Sequence, residues 1–320
     1  MKDIHAAITE RFIEQLRAGC VPWQRPWLSA QNLISRKPYR GINSLTLGST
    51  RFGSPFWMTF RQAHELGGHI RKGERSLPVI YYKFLEKRDG NGNVVLTKKG
   101  RPAAIPFLRW SNVFNFEQTE GVAAPAPSVA PDLPPTLDRA ETLVAQADLC
   151  PIRKEGFAAA YSPREDMIRM PSPKMFRSPE DYYHTLFHEM THATGHGSRL
   201  DREGITNPIK FGSERYSREE LIAELGAAFL SNQAGILDKV RFANSAAYLQ
   251  SWTRNLEQDP TLIVSAASQA QRGFDWVTGV RYEEQERLRE EIQPAPALTP
   301  HFQQELPASG SARLVVRMGR

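Results

Sequence analysis

The sequence has little cysteine and no long apolar run. Only two of its 320 residues are cysteines, Cys20 and Cys150, and they lie far apart. This excludes a disulfide framework and a cysteine-based zinc site, and it fits a reducing cytosol. No window reaches the roughly 18 apolar residues of a membrane span, and the first residues show no apolar core of a secretion signal. We therefore expect a cytoplasmic protein with no membrane contact.

Charge is distributed unevenly along the chain. Hydrophobic residues make up 40% and charged residues 24%, which is ordinary for a globular protein long enough for two domains. Residues 1–122 contain 19 lysines and arginines against 9 acidic residues, whereas the remainder is mildly acidic. An excess of positive charge attracts polyanions. The N-terminal half is therefore predicted to bind nucleic acid.

Proline marks the boundary between the two halves. Residues 122–136 contain five prolines and few charges, which is typical of an extended linker. A polar stretch from residue 293 to the end shows no sustained periodicity and is predicted to be disordered. We therefore predict a first domain over 1–121, a linker over 122–136, a second domain over 137–292 and a tail over 293–320.

The pattern of elements predicts an α+β protein. The first half begins with an amphipathic helix over 3–18, and strands are predicted over 77–86 and 104–116, with a hairpin signal at 89–93. The second half is mainly helical with a small sheet. Its predicted helices cover 136–148, 178–195 and 243–257 and begin also at Ser217 and Asp259, and its short strands lie near 157–161 and 166–170. Ser178 and Pro179 give the 178–195 helix a strong start.

The most specific motif is HExxH, which stands at His188–His192 on that helix. The i, i+4 spacing places the imidazoles of His188 and His192 on one helical face, where both can bind one ion. Glu189 follows the first histidine and can reach a water bound to that ion. A histidine-rich helix face without metal is the alternative interpretation.

A third ligand is needed, and the sequence offers two candidates. The segment around Glu220 resembles glutamate-type zinc peptidases, in which an acidic residue follows the ligand glutamate by four positions. That resemblance implies that Glu220 binds the metal and that Glu224 orients a ligand histidine, although Glu224 stays an alternative ligand. Glu220 also fits a capping box that begins at Ser217 and requires no metal. His196 comes too early in the chain for the ligand of the extended motif.

Two imidazoles and a carboxylate suit zinc, and they also accept manganese or cobalt. Such a site lowers the pKa of a bound water and polarises a carbonyl, while Glu189 moves the proton to the leaving amine. The predicted activity is that of a zinc-dependent metallopeptidase acting on an unknown protein substrate. Tyr216 and His196 are only candidates for stabilising the oxyanion.

Aromatic residues are concentrated in the basic half, which holds 15 of the 31 in the chain and four of the six tryptophans. Aromatic rings interleaved with arginine and lysine are typical of single-stranded nucleic-acid binding, whereas no duplex recognition helix stands out. The alternative is that these rings form the core of a small domain. The predicted nucleic-acid contacts are Trp23, Arg25, Trp27, Lys37, Tyr39, Arg40, Trp57, Arg61, Arg71 and Lys72.

Four segments of the basic half resemble the N-terminal domain of the ArdC antirestriction family; they are Gly19–Trp27, Lys37–Asn43, Trp57–Ala63 and Gly67–Gly73. The second half is similar to the zincin-like metallopeptidase domain that accompanies it, so the resemblance covers about residues 3–292. It implies an antirestriction protein of a plasmid or other mobile element. Such a protein would bind single-stranded DNA and protect incoming DNA during conjugation.

Two functional interpretations stay open. In the first, the chain combines DNA binding with a metal-dependent peptidase. In the second, it is a single-stranded-DNA-binding conjugation or primase-accessory protein whose zincin-like domain is a non-catalytic interaction module. The complete HExxH motif favours the first, and the absence of any visible substrate signal keeps the second open.

Overall fold

The structure is a computed structural model of the chain. It describes residues 3–280 except Pro26, Leu28 and the segments 97–102, 124–135, 208–213 and 243–244. Most of the predicted linker therefore lies outside the described residues. The same holds for the end of the predicted second domain after residue 280 and for the predicted tail over 293–320.

The N-terminal part combines short helices with a mixed sheet. In chain order its elements are α1 (Ile4–Arg17), β1 (Gln31–Asn32), α2 (Ile42–Gly48), β2 (Phe56–Thr59), α3 (Phe60–Glu65), β3 (His69–Ile70), β4 (Leu77–Glu86), β5 (Ala104–Asn115) and β6 (Thr119–Glu120). One sheet has the order β1-β2-β5-β4, and a small second sheet pairs β3 with β6. The long antiparallel pair β4–β5 confirms the two strands predicted at these positions.

The C-terminal part is mainly helical. Its elements are α4 (Thr136–Gln146), β7 (Ile152–Lys154), β8 (Ala160–Ser162), β9 (Met167–Met170), α5 (Pro179–Thr194), α6 (Glu203–Thr206), α7 (Glu214–Ala234), α8 (Ala246–Gln258) and α9 (Leu262–Val277). The three strands form a small sheet of order β7-β9-β8. The predicted α+β class, with a mainly helical second half that carries a small sheet, is confirmed.

Local capping signals explain where helix α5 begins and ends. The Ser178 hydroxyl accepts a hydrogen bond from the Asp181 N–H at 3.1 Å, and Pro179 occupies the first helical position. Gly195 follows the last turn as the C-cap. The sequence predicted both ends of this helix because these signals act over only a few residues.

The apolar face of α1 packs against the C-terminal helices. Ile8, Phe12 and Leu16 are buried in one cluster with Leu225 of α7 and Trp252 of α8. The stripe that predicted an amphipathic helix is therefore covered by residues more than 200 positions away. The N-terminal and C-terminal parts share this hydrophobic core, and both lie in one compact unit, Met1–Arg281.

Polar contacts reinforce the same junction. Arg40 forms an ion pair with the buried Asp275 of α9, and the Gly41 N–H donates to Gln271 Oε1 at 2.8 Å.

None of the helices in the described part of the chain combines the length and apolar character that a membrane-spanning segment requires.

The shared core makes a prediction about stability. Replacing the buried Phe12 by alanine should lower the free energy of unfolding by about 3–5 kcal/mol, because the substitution leaves a cavity. The Phe60→Ala variant is the control, since Phe60 is 60% exposed and its truncation should change stability by less than about 0.5 kcal/mol. Urea denaturation with a chelator present, followed by circular dichroism, measures both.

Both parts should unfold in one transition, and Phe12→Ala should shift all of it. Two separate transitions, only one of which responds to Phe12→Ala, would contradict a shared core.

Candidate functional site

Helix α5 brings the two motif histidines together as the i, i+4 spacing predicts. The Nε2 atoms of His188 and His192 lie 3.2 Å apart, and the two rings are nearly perpendicular. Two nitrogens bound at about 2.0–2.1 Å to one tetrahedral ion lie about 3.3–3.4 Å apart. The spacing of these atoms therefore fits a shared ion.

Helix α7 supplies the carboxylate of Glu220 to the same point. Its Oε2 lies 3.6 Å from His188 Nε2, and its Oε1 lies 3.8 Å from His192 Nε2. Ligand atoms of these three residues lie within 4.8 Å of one another. Of the two candidates for the third ligand, Glu220 is the one that the structure places beside the histidines.

The start of α7 differs from the prediction. The helix already includes Glu214, so Ser217 lies inside it and is not its N-cap. A helix-terminal capping box at Ser217–Glu220 therefore does not explain the position of Glu220. Sequence periodicity could not locate this boundary because the polar residues before Ser217 are compatible with both a loop and a helix.

The charges around the histidines suit a cation. Burial of the His188 ring disfavours its protonated form, but the carboxylates of Glu220, Glu189 and Glu224 outweigh this effect and raise its pKa. The same negative charges would stabilise a divalent ion held between the rings. The donor set of two imidazoles and one carboxylate fits zinc and also manganese.

Glu219 lies beside the ring of His192, in the kind of position that the family resemblance implied for Glu224. The Nδ1 atom of His192 lies 3.2 Å from Glu219 Oε1, so the carboxylate can hold the ring with Nε2 directed at the ion. Arg202 binds the same carboxylate through Nη2 at 2.8 Å and Nε at 3.2 Å. Burial opposes ionisation of Glu219, but the bonds from His192 and Arg202 lower its pKa.

Arg202 is itself held in place by helix α5. Its guanidinium donates to Thr194 Oγ1 at 2.7 Å and to the Thr191 carbonyl at 2.6 Å. No sequence signal identified Arg202 or Glu219, because neither belongs to the motif and their contact depends on the path of the chain between α5 and α7.

Glu224 has other partners. Its Oε2 accepts a hydrogen bond from Trp23 Nε1 at 3.0 Å and another from the Tyr248 hydroxyl. Burial raises the pKa of Glu224. Glu224, predicted as an alternative ligand or as the partner of a ligand histidine, lies outside the group of ligand atoms and bonds to Trp23 and Tyr248.

Glu189 lies beside the candidate metal site and is buried. Its Oε2 accepts a hydrogen bond from the backbone N–H of Tyr161 in strand β8, at 2.8 Å. The Tyr161 hydroxyl donates in turn to Asp166 at 2.8 Å. The small sheet therefore fixes the orientation of the predicted general base.

The other two histidines of the motif region lie outside the ligand group. His184 Nδ1 lies 2.9 Å from Ser231 Oγ, and burial lowers the pKa of His184 to about 3, so its ring is neutral. His196 Nδ1 lies 2.8 Å from Ser198 Oγ. The side chain of Tyr216, the other candidate for the oxyanion, lies outside the described residues.

The tryptophans predicted to contact DNA occupy different environments. Trp23 and Trp57 are only 1% and 2% exposed, so their rings offer no face to a base in this structure and we assign both to packing. Trp27 is half-buried, with its ring edge against Phe229 and its Nε1 donating to Ser44. For these three rings, the alternative of a domain core describes the structure better than base stacking does.

Several other predicted contacts are engaged within the protein. Tyr39 is half-buried, and burial raises its pKa. Arg40 pairs with Asp275. Arg71 pairs with Glu74 at 2.8 Å. Each of these three side chains therefore has contacts within the protein.

The remaining predicted cations are accessible. Arg25, Lys37, Arg61 and Lys72 are exposed, although Arg61 pairs with Glu65 at 2.7 Å.

Sequence reasoning missed that each face of the β4–β5 pair carries an exposed aromatic ring. Tyr81 is half exposed and lies directly opposite Arg109, so the two side chains share one face. Trp110 is equally exposed but points to the other face, where it pairs with the buried Ile80. Strand alternation was visible in the sequence, but which face is covered depends on helices elsewhere in the chain.

Comparisons with known proteins match both parts of the chain. Residues 2–114 match the family described as the N-terminal domain of the anti-restriction factor ArdC. Residues 138–269 match the family described as a zincin-like metallopeptidase.

Solved structures resemble the chain over most of its length. The metal-free crystal structure of the antirestriction protein ArdC from plasmid R388 is 36% identical, with a TM-score of 0.66, over 86% of this chain and 97% of that one. The Mn(II)-bound structure of the same protein is 35% identical, with a TM-score of 0.69, over 87% and 97% of the two chains.

Curated relatives include longer proteins. Two DNA primases TraC of Escherichia coli are 35% and 36% identical over 95% and 86% of this chain, which spans only 30% and 20% of their lengths. The uncharacterized protein y4eC of Sinorhizobium fredii is 32% identical over 86% of this chain and 91% of its own length.

The geometry separates the roles of three neighbouring glutamates. Glu220→Ala should abolish stoichiometric metal binding, because it removes one of three protein ligands. Glu219→Gln should weaken binding about 10–100-fold, because it replaces the charged acceptor that orients His192 and pairs with Arg202 by a neutral amide. Glu224→Gln should lower metal affinity by less than about tenfold, because it removes a nearby negative charge but no contact to a ligand, since Glu224 binds Trp23 and Tyr248 instead.

Titration calorimetry with zinc and with manganese measures these affinities, and circular dichroism verifies the fold of each variant. Loss of metal in Glu224→Gln with retention in Glu219→Gln would reverse the assignment of the orienting residue.

Proposed function

This chain belongs to the ArdC antirestriction family, and on that premise we propose that it binds single-stranded DNA and carries a metal-dependent peptidase site. In this proposal it acts in the cytoplasm for a mobile element and protects incoming DNA from host restriction during conjugation. The convergence of His188, His192 and Glu220 next to Glu189 is the observation that supports a peptidase most directly.

The residues of the site have distinct tasks in this proposal. His188, His192 and Glu220 hold a divalent ion, and Glu219 keeps His192 in the orientation that binding requires. The bound ion supplies Lewis-acid polarisation of a substrate carbonyl and lowers the pKa of water. Zinc is the ion we propose, and manganese and cobalt suit the same donor set.

Glu189 provides the general base. The Tyr161 N–H occupies its Oε2, so Oε1 is the atom that can take a proton from the attacking water. The same oxygen then delivers that proton to the leaving nitrogen, which completes amide hydrolysis.

The Tyr81–Arg109 face is our candidate for contact with single-stranded DNA. An exposed ring can stack on a base while the cation opposite contacts a phosphate, and both side chains lie on a rigid strand pair. The excess of basic residues in the N-terminal half supplies long-range attraction. We retain Arg25, Lys37, Arg61 and Lys72 as peripheral contacts because they are exposed.

Similarity to the TraC primases supports a second candidate function. In that case the chain is a conjugation or primase-accessory protein that binds single-stranded DNA, and its zincin-like domain is a non-catalytic interaction module. At the metal site, the two candidates differ in whether peptide bonds are hydrolysed.

The DNA proposal predicts a difference between the two faces of one strand pair. Tyr81→Ala should weaken binding of a single-stranded oligonucleotide by about 1–3 kcal/mol, because a stacking ring is lost. Trp110→Ala is the matched control, since that ring is equally exposed on the opposite face. Fluorescence anisotropy of a labelled oligonucleotide at several salt concentrations measures the affinities, which should fall as salt rises.

Equal affinity of the wild-type chain for duplex and single-stranded DNA would contradict the proposal that it binds single-stranded DNA. A larger loss from Trp110→Ala than from Tyr81→Ala would move the contact to the other face.

The peptidase proposal predicts a variant that loses hydrolysis and keeps both metal binding and DNA binding. Glu189→Gln should retain the metal and abolish hydrolysis, because the base acts on water and is not a ligand. DNA affinity should be unchanged. Metal-loaded chain is incubated with a proteome-derived peptide library, and mass spectrometry identifies new termini. Cleavage that persists in purified Glu189→Gln would contradict the assigned base, and a wild-type chain that cleaves nothing would favour the second candidate.

A further inference from the structure

A cleft of about 220 Å³ adjoins the candidate metal site, and the proposed chemistry does not use it. His188 lies on one side of the cleft, so a substrate bound over the ion could extend into it. Phe242 and Tyr248 supply aromatic walls, the buried Trp23 lies at one side, and Glu224 supplies a carboxylate. The volume is below that of a typical ligand pocket and suits one side chain.

Both parts of the chain form the cleft. Trp23 and Gln24 follow helix α1 and belong to the segment that matches the ArdC N-terminal domain. His184, Glu224 and Tyr248 belong to the segment that matches the zincin-like family. Trp23 Nε1 donates a hydrogen bond to Glu224 Oε2 at 3.0 Å, which joins the two segments along one wall of the cleft.

Glu224 is placed to receive a cation. Both of its donors, Trp23 and Tyr248, bind Oε2, and no donor among the described residues reaches Oε1. Within the same described part of the chain, no lysine or arginine pairs with Glu224, whereas the neighbouring Glu219 is paired with Arg202. Glu224 is partly accessible, so its second oxygen can be reached from the cleft.

The cleft keeps an excess of negative charge when a metal ion is bound. Glu219 is neutralised by Arg202, which leaves the carboxylates of Glu189, Glu220 and Glu224 around the cleft and the ion. With all three ionised, their combined charge exceeds that of a divalent ion by one. Burial raises the pKa of Glu224, and a cation in the cleft would favour its ionised form. The metal-loaded cleft therefore attracts a single positive charge and repels an acidic side chain.

We propose that this cleft is a subsite for a lysine or arginine side chain of the peptide substrate and that both parts of the chain form it. The inference rests on the proposed peptidase function. The cationic head would donate to Glu224 Oε1 in a charge-assisted bond, and the aromatic walls would contact its charge and its methylene stem. An apolar side chain would bury Oε1 without a partner, which is unfavourable.

The test uses two small probes on the full chain loaded with zinc. The probe n-butylguanidinium reproduces an arginine side chain, and n-butylurea has the same shape without the charge. Ligand-observed NMR titration gives both affinities and requires no hydrolysis. The wild-type chain should bind the guanidinium at least tenfold more tightly than the urea.

Three variants identify the residues involved. Glu224→Gln keeps an acceptor for Trp23 and Tyr248 and should reduce the preference to less than about twofold. Glu14→Gln is the control, because it makes the same charge change at an exposed position on α1 and should keep the full preference. Phe242→Leu should lower guanidinium affinity about two- to fivefold, as expected for loss of a cation–π contact.

Equal affinity of the wild-type chain for the two probes would overturn the proposal, and so would an undiminished preference in Glu224→Gln. Failure of the peptidase is a different result: the chain then cleaves no peptide, while its preference for the guanidinium still identifies a site for basic side chains.

Discussion

The close approach of α5 and α7 is the constraint on which the candidate site depends. A Cβ atom at Gly226 would lie 2.4–3.0 Å from the Thr191 side chain, so only glycine permits this helix separation. Glu220 lies almost two turns earlier on α7 and reaches the histidines because the helices are this close. Arg202 then braces the pair by bonding to Glu219 on one helix and to the Thr191 carbonyl on the other. Backbone proximity and a buried ion pair thus position the ligands together.

The same helices also carry the junction with the N-terminal part. Leu225 of α7 lies in the cluster that covers the apolar face of α1, while Glu224 beside it binds Trp23. Without α7, α8 and α9, the apolar face of α1 would be exposed, which is unfavourable. Without the N-terminal part, the cleft next to His188 would lack a wall. This interdependence gives a physical reason for the two family domains to occur in one chain.

Local signals in the sequence predicted much of the fold. The cap at Ser178, the HExxH spacing and the alternation in β4 and β5 act over a few residues, and the corresponding elements were placed within a few positions. The set of candidate ligands followed from the same spacing and from a family resemblance. Long-range partners were different: the bond between Trp23 and Glu224 joins residues 201 positions apart. Composition could not reveal that this tryptophan is buried, because a ring in a core and a ring on a binding surface look alike in sequence.

Glu219 and Glu224 show why a sequence motif can predict candidate metal ligands but not the residues that orient those ligands. Adjacent positions on a helix differ by about 100°, so Glu219 and Glu220 point to different sides of the histidine pair, one toward Nδ1 of His192 and the other toward the Nε2 atoms. Glu224 follows one turn after Glu220 on the same face and faces the cleft. Its carboxylate therefore faces the space that a substrate would occupy and lies outside the group of candidate ligand atoms. In the proposed subsite, metal binding and substrate choice would depend on different carboxylates, since Glu219 is neutralised by Arg202 while Glu224 lacks a cationic partner in the described part of the chain.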